Sequence, residues 1–151
     1  MEKPKKAAKT TQSATAGAAT LKRILFADDN KSIRDIVSEC LEFIGYEVSL
    51  AINGIEALAI FLETSFDLVL TDLEMPVMDG LSLAGRIKEK SPGTPVILLT
   101  GADSETVLKM DSGAVDSVIL KPFSLEDLQG AVQRTLVSGR FNRTTHRVKP
   151  S

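Results

Sequence analysis

Four sets of polar side chains follow short apolar runs in this sequence: Asp28-Asp29, Asp72, Thr100 and Lys121. The runs are rich in leucine and β-branched residues and are nearly continuous in apolar character, which is typical of strands buried on both faces. If these strands form one parallel sheet, their carboxyl ends lie at one edge, where such sheets bind ligands. The sequence therefore predicts that three carboxylates, a hydroxyl and an amine meet at that edge.

The chemistry of this set points to a metal ion and a phosphoryl group. Three converging carboxylates repel one another, and a hard divalent cation such as Mg²⁺, which prefers carboxylate, water and phosphate oxygens, neutralises them. Lys121 adds a positive charge and Thr100 a hydroxyl, and an aspartate can act as a nucleophile that forms an aspartyl phosphate. The sequence contains neither GxxxxGK[ST] nor GxGxxG, so it suggests no nucleotide cradle.

Strands and helices alternate along the chain, which predicts an α/β fold with helices on both faces of a parallel sheet. The predicted strands are Ile24–Ala27, Val48–Ala51, Leu68–Leu70, Val96–Leu99 and Val118–Leu120. The predicted helices cover residues 31–44, about 54–64, from near Leu81 to Ser91, weakly 103–112, and 124–137.

Apolar spacing assigns a buried face to the first two helices. The face of the first helix consists of Ile33, Ile36, Val37, Cys40, Leu41 and Ile44, and that of the second of Ile55, Leu58, Ala59 and Leu62. Cys40 is expected to be an inert core thiol, and either Ile33 or Ile36 is a candidate for exposure beside the acidic pair. In the last helix, Ser124 is the predicted N-cap and Asp127 its capping-box partner.

The motifs at the strand ends make the sequence similar to the receiver domain of two-component response regulators over about residues 22–137. The string D-x-x-M-P-x-M-D-G from Asp72 to Gly80, with Asp28-Asp29 before it and Thr100 and Lys121-Pro122 after it, carries the resemblance. The resemblance implies a flavodoxin-like fold: a five-stranded, doubly wound parallel sheet with strand order 2-1-3-4-5.

The resemblance also implies a role for each site residue. Asp72 is the expected phosphoacceptor, and Asp28, Asp29, Asp72 and the backbone carbonyl of Glu74 are the expected Mg²⁺ ligands. Thr100 and Lys121 are expected to bind phosphoryl oxygens. The Lys121–Pro122 peptide bond is expected to be cis.

Three features depart from the family pattern. Val118 occupies the position where many receivers carry the Tyr or Phe that turns inward on activation. Ala114 occupies the usual glycine position, with Gly113 one residue earlier, so the fourth helix is expected to be short or irregular. After Val137 only a 14-residue basic tail remains, which predicts a stand-alone receiver.

Charge divides the chain into an acidic domain between basic tails. Residues 1–23 hold six basic residues against one acidic, residues 138–151 hold four basic and no acidic, and residues 24–137 hold 8 basic and 19 acidic. Tails lacking an apolar face are expected to be disordered, at 1–21 and 138–151 around a receiver at 22–137. The single cysteine and the lack of a long apolar run favour a cytoplasmic protein without membrane insertion.

The resemblance predicts a signalling switch rather than a metabolic enzyme. It implies a sensor histidine kinase or histidine phosphotransfer protein as phosphodonor and an unidentified protein as downstream target. Two alternatives remain open: a phosphorylation-independent interaction module, favoured by Val118, and a nucleic-acid-associated regulator acting through its tails. The acidic domain disfavours the second, because nucleic-acid backbones need a positive contact surface.

Overall fold

The computed structural model describes residues 20–101 and 113–138. The strands are β1 (Arg23–Ala27), β2 (Glu47–Ala51), β3 (Leu68–Asp72), β4 (Val96–Thr100) and β5 (Ser117–Leu120). The helices are α1 (Lys31–Ile44), α2 (Gly54–Glu63), α3 (Gly80–Lys90) and α4 (Leu125–Ser138). The predicted helix at 103–112 and most of both predicted tails lie outside the described residues. Asp72 and Thr100 are the last residues of their strands, where the sequence placed them just beyond.

The five strands form one parallel sheet in the order β2-β1-β3-β4-β5, which confirms the predicted fold class and strand order. Every residue of β3 and β4 is buried. One face of the sheet packs against α2 and α3 and the other against α1 and α4, so apolar side chains fill both interfaces. The near-continuous apolar runs in the sequence are the consequence of this two-sided burial.

Polar side chains begin each helix at the carboxyl edge of the sheet. Asn30, Asn53 and Asp79 cap α1, α2 and α3 by accepting hydrogen bonds from backbone N–H groups three residues on. Ser124 and Asp127 exchange two hydrogen bonds of 3.0 Å each, which confirms the predicted capping box of α4. These caps fix where the loops that carry the site turn into helices.

The predicted buried face of α2 is wrong except at Leu58, which packs partly against the core. The structure buries Gly54, Ala57 and Phe61, while Ile55 and Leu62 are exposed. The helix is apolar at most positions, so more than one stripe fits a helical period. Close packing selects the small residues: a Cβ at Gly54 would lie 2.5 Å from the backbone oxygen of Met78.

The predicted face of α1 is correct except at its margin. Val37 and Leu41 are buried, and Cys40 is half-buried against the same core. Ile36 is 55% exposed, whereas Ile33 packs partly against the core. The helix faces the sheet along a narrower stripe than the apolar spacing suggested.

An ion pair with a buried carboxylate lies at the opposite end of the sheet, where β4 and β5 begin. Lys88 Nζ lies 2.7 Å from Asp116 Oδ2, and the same carboxylate oxygen accepts a hydrogen bond from the backbone N–H of Val96. Lys88 also donates to the carbonyl oxygen of Thr94. These contacts join α3 to the start of β4 and to the residue before β5.

Candidate metal and phosphoryl site

Three carboxylates meet at the carboxyl edge of the sheet, as the sequence predicts. Oxygen atoms of Asp28, Asp29 and Asp72 all lie within 4.8 Å of one another. Asp28 and Asp72 are buried, with 1% and 6% of their surface exposed, whereas Asp29 is exposed. The cluster is therefore open to solvent on one side and closed by the sheet on the other.

Asp28 is held by the protein at three of its four polar atoms. Its backbone N–H donates to the carbonyl oxygen of Ala51, and its carboxylate Oδ1 accepts from the backbone N–H of Asn30 at 2.9 Å. Its carbonyl oxygen accepts a 2.7 Å hydrogen bond from Arg34 Nη1. The remaining atom, Oδ2, is buried and has no hydrogen-bond partner among the residues that the structure describes.

An unpaired buried carboxylate oxygen beside two further carboxylates fits a hard divalent cation. Such an oxygen costs free energy unless a partner satisfies it, and oxygen donors are the ligands that Mg²⁺ prefers. The three carboxylates supply too few donors for a full coordination shell, which leaves positions for water or phosphate oxygens. The donor set is thus suited to Mg²⁺.

Lys121 follows β5, two strands away from β3, and faces the cluster across the end of β4. Its Nζ lies 2.7 Å from Oδ1 of Asp72, which confirms the predicted proximity of these two residues. The Lys121–Pro122 peptide bond is cis, as expected. The pair places a cation against one oxygen of the carboxylate at the end of β3.

Burial raises the pKa of both inner carboxyls. The pKa of Asp28 is raised chiefly by desolvation, with a further contribution from the Asp72 charge, while the Asn30 N–H opposes the shift. Desolvation also raises the pKa of Asp72, and its hydrogen bond to Lys121 acts in the opposite direction. The ionised forms of these two carboxyls are therefore unfavourable in the folded protein unless a metal cation neutralises them.

Thr100 lies between the two strand ends that carry the Asp72–Lys121 pair. It is the buried last residue of β4, and its carbonyl oxygen accepts from the backbone N–H of Lys121 at 2.8 Å. Glu74 is exposed in the loop after β3. The structure therefore places all six predicted site residues at one edge of the sheet.

The loop from β3 to α3 turns back tightly against the strand end. The backbone N–H of Gly80 donates to the carbonyl oxygen of Leu73 at 2.8 Å, and a Cβ at Gly80 would collide with the backbone oxygen of Asp72. Asp79 caps α3. The Asp-Gly pair of the motif thus ends the loop and lets α3 start against the site.

Two departures from the family pattern have structural counterparts. Val118 is buried and packs with the apolar cluster between the sheet and helices α2 and α3. Gly113 has a φ of 90°, in the left-handed region that favours glycine, and Ala114 is buried. The backbone turn is therefore made one residue earlier than the spacing from Lys121 places it.

The protein-family comparison agrees with this fold and site. The model of the response regulator receiver domain matches residues 24–133, and the chain belongs to that family. Receiver domains are signalling switches of two-component systems, and the aspartate cluster fits an aspartyl phosphate and Mg²⁺. Within the described residues, no helix is both long and apolar enough to cross a membrane.

Curated relatives and solved structures support the same assignment. The chain is 37% identical over 116 residues to the response regulator MprA of Mycobacterium sp. (strain KMS), and 36% identical over 129 residues to the probable transcriptional regulator ycf27 of Cyanidium caldarium. These matches cover 76% and 84% of the chain but 50% of each relative, so the chain spans about half their length. The prediction of a stand-alone receiver therefore stays a prediction.

The solved structures match over nearly their whole length. The chemotaxis protein CheY4 of Vibrio cholerae is 34% identical with a TM-score of 0.73, over 76% of this chain and 98% of that one. The response regulator TrrA of Thermotoga maritima, solved in complex with Mg²⁺ and BeF, is 39% identical with a TM-score of 0.71, over the same shares.

Sequence reasoning missed Asn30 and Arg34. Asn30 both caps α1 and donates to the Asp28 carboxylate. Arg34, in the first turn of α1, donates to the carbonyl oxygen of Asp28. A polar N-cap directly after the acidic pair was a usable signal for Asn30. Nothing in the sequence distinguishes Arg34 from a solvated helix residue, because its partner is a backbone carbonyl.

Proposed function

We propose that this chain accepts a phosphoryl group on Asp72 from a phosphohistidine of a partner protein, in a Mg²⁺-dependent reaction. The observation that carries the proposal is the contact between Lys121 and Asp72 beside the three-carboxylate cluster. A carboxylate so placed can attack phosphorus while a neighbouring cation holds the incoming oxygens. The partner would be a sensor histidine kinase or a histidine phosphotransfer protein.

In this proposal each residue around Asp72 has a separate role in the transfer. An Asp72 oxygen bonds to phosphorus as the phosphorus–nitrogen bond of the donor breaks, and the electron pair of that bond leaves with the imidazole, which takes up a proton. Lys121 and the hydroxyl of Thr100 bind phosphoryl oxygens. Asp28, Asp29, Asp72 and the Glu74 carbonyl hold Mg²⁺, which supplies charge neutralisation for the approaching anion.

The exposed side chain of Ile36 supports docking of a protein donor. It projects from α1, the helix that directly follows the acidic pair, while neighbouring Ile33 packs partly into the core. A protein donor that docks beside the acidic pair would find an apolar contact at Ile36. We propose that the donor contacts this end of α1.

Phosphorylation with and without the acceptor tests the proposal. Asp72→Asn keeps the size of the side chain and removes the nucleophile, so the folded variant should take up no phosphate from acetyl phosphate and Mg²⁺. Asp35→Asn, the same change at an exposed residue of α1, should label as the parent does. Full labelling of Asp72→Asn at another carboxylate would show that the acceptor is assigned wrongly.

The buried Val118 favours a second candidate, an interaction module that works without phosphorylation. A modification shifts a conformational equilibrium only through different interactions in the two states, and Val118 provides no ring to move inward. Beryllofluoride, a phosphoryl mimic, distinguishes the candidates in NMR spectra. A phosphorylation switch predicts shifts beyond the site, centred near Ile36 and the loop 73–80; shifts confined to the aspartates would favour the module.

A further inference from the structure

We infer that Arg34 is a positioning residue that fixes the turn Asp28–Asn30, called here the acidic turn, in its metal-binding geometry. Its guanidinium Nη1 donates a 2.7 Å hydrogen bond to the carbonyl oxygen of Asp28, six residues earlier in the chain. The inference rests on the proposed function, because it concerns the Mg²⁺ site of that reaction. Arg34 acts through the backbone and touches no reacting atom.

The other two hydrogen bonds of Asp28 are made by its backbone N–H and its carboxylate, and neither restrains its carbonyl group. The backbone N–H of Asp28 is anchored to β2 through Ala51, and its Oδ1 is anchored to Asn30 inside the same turn. The carbonyl of Asp28 belongs to the peptide group that joins it to Asp29. Fixing that carbonyl restricts rotation of the peptide group, and so fixes the direction in which the Asp29 side chain leaves the backbone.

Arg34 has the reach and the support for this role. Its backbone N–H donates to the carbonyl oxygen of Asn30, so the side chain starts from the first hydrogen-bonded turn of α1. Asn30 caps that turn and also donates to the Asp28 carboxylate. Cap, acidic pair and arginine therefore form one connected set of hydrogen bonds, and loss of the arginine frees the carbonyl oxygen of Asp28.

The electrostatic and positioning effects of Arg34 have opposite signs. A cation close to a carboxylate cluster disfavours binding of a second cation, so removal of its charge alone should strengthen Mg²⁺ binding. Loss of positioning should weaken Mg²⁺ binding, because the ligands must then be ordered when the ion binds. The direction of the change in affinity therefore separates the two effects.

Titration with Mg²⁺ alone, followed by NMR shifts of the Ala27–Asn30 amides, tests the inference without phosphorylation. Arg34→Met should weaken binding by at least about threefold, while Lys31→Met, which removes an exposed cation of the same helix, should leave it unchanged or slightly tighter. Arg34→Lys keeps a donor on a long stem and should recover part of the affinity. Where Arg34→Met does not fold, Arg34→Ala, which also removes both the donor and the charge, gives the same test.

Three outcomes would contradict a part of this account. Unchanged or tighter binding in folded Arg34→Met would overturn the positioning role, and so would an equal loss in Lys31→Met. Absence of Mg²⁺ binding by the parent protein would instead overturn the metal site of the proposed function. A second readout separates binding from chemistry: labelling of Arg34→Met by acetyl phosphate should approach the parent rate once Mg²⁺ is saturating.

Discussion

Asp28 places a carboxylate where its charge destabilises the folded protein in the absence of metal. Within the described part of the chain its Oδ2 is buried without a partner, and desolvation raises the pKa of the carboxyl above the ordinary value of 3.8. A buried polar atom without a partner costs about 1–3 kcal/mol. The residue is therefore explained by its function rather than by stability.

We predict that Asp28→Asn is more stable than the parent at neutral pH without Mg²⁺, by about 1 kcal/mol or more. Asparagine keeps an acceptor for the Asn30 N–H and gains an N–H group that can donate to the neighbouring carboxylates. The measurement is chemical unfolding of both proteins in a chelating buffer. Equal or lower stability of the variant would contradict this account of Asp28.

The pH dependence of that difference has a definite sign. Because the folded-state pKa of Asp28 is raised, the folded parent binds protons more tightly than the unfolded chain, and its stability falls as pH rises from 3.8 through the folded pKa. The advantage of Asp28→Asn should therefore be largest at neutral pH and shrink on acidification. An advantage that grows toward low pH would contradict the pKa shift.

We predict that the site requires the compact ammonium group of Lys121. Lys121→Arg replaces a compact ammonium by a wider planar group that must fit between Asp72 and the strand end. We expect a folded variant whose labelling by acetyl phosphate falls about tenfold or more, the effect of losing one charge-assisted hydrogen bond. Lys22→Arg, at an exposed position, is the matched control, and parent-like labelling of Lys121→Arg would contradict the proposed geometry.

Single residues were predictable from sequence where their type and strand position carry the information. Five site residues lie at or directly after the ends of buried strands, and parallel strands bring such positions together: Asp28, Asp29, Asp72, Thr100 and Lys121. The role of the Glu74 carbonyl was predicted only from the resemblance to receiver domains. Arg34 was not predictable, because a side chain that bonds a backbone carbonyl leaves no pattern of residue types. Only the folded turn shows which carbonyl needs a donor.

At the scale of elements, two glycines of α3 should respond in opposite ways to alanine. At Gly80 a Cβ would collide with the backbone oxygen of Asp72 and lie 2.9 Å from Leu98 Cδ1. At Gly85 it would meet no atom of residues 20–101 and 113–138 within 4 Å. Gly80→Ala should lower stability and displace the loop after β3. Gly85→Ala should raise stability by about 0.5–1 kcal/mol, the helix preference of alanine over glycine.

Thermal unfolding together with Mg²⁺ titration checks both glycine variants. Gly80→Ala should bind Mg²⁺ more weakly than the parent, because its clash is with the backbone of a proposed metal ligand. Gly85→Ala should bind with unchanged affinity. A neutral effect of Gly80→Ala on both measurements would show that the loop does not need its close approach.

The positions of the helices were predictable from the sequence, but the face that each helix buries was not always predictable. In α1 polar residues separate the apolar ones, and the predicted buried stripe is correct except at its margin. In α2 apolar residues occupy most positions, and the choice between Phe61 and Leu62 as the buried residue depends on close packing against the loop at Met78. The spacing of apolar residues along a helix does not show which of its faces fits closely against a neighbouring loop.

At the scale of the whole molecule, the stability of the domain should depend on Mg²⁺. An ion that binds the folded state alone stabilises it by RT ln(1 + [L]/Kd), or about 2.7 kcal/mol at a hundredfold excess over Kd. Added Mg²⁺ should therefore raise the unfolding midpoint, and NaCl of equal ionic strength should not. In Asp29→Asn the rise should shrink strongly; an equal rise would mean that the ion stabilises the protein elsewhere.

The order of strands divides the site between two consecutive parts of the chain. Asp28, Asp29 and Asp72 come from the part that contains β1, β2 and β3, while Thr100 and Lys121 come from the part that contains β4 and β5. The exposed Pro92-Gly93 turn lies between the two parts. A chain cleaved at this turn would give one fragment with the acidic ligands and another with the hydroxyl and the amine. Recovery of aspartyl phosphate formation would then report reassembly of the two fragments along the β3–β4 seam.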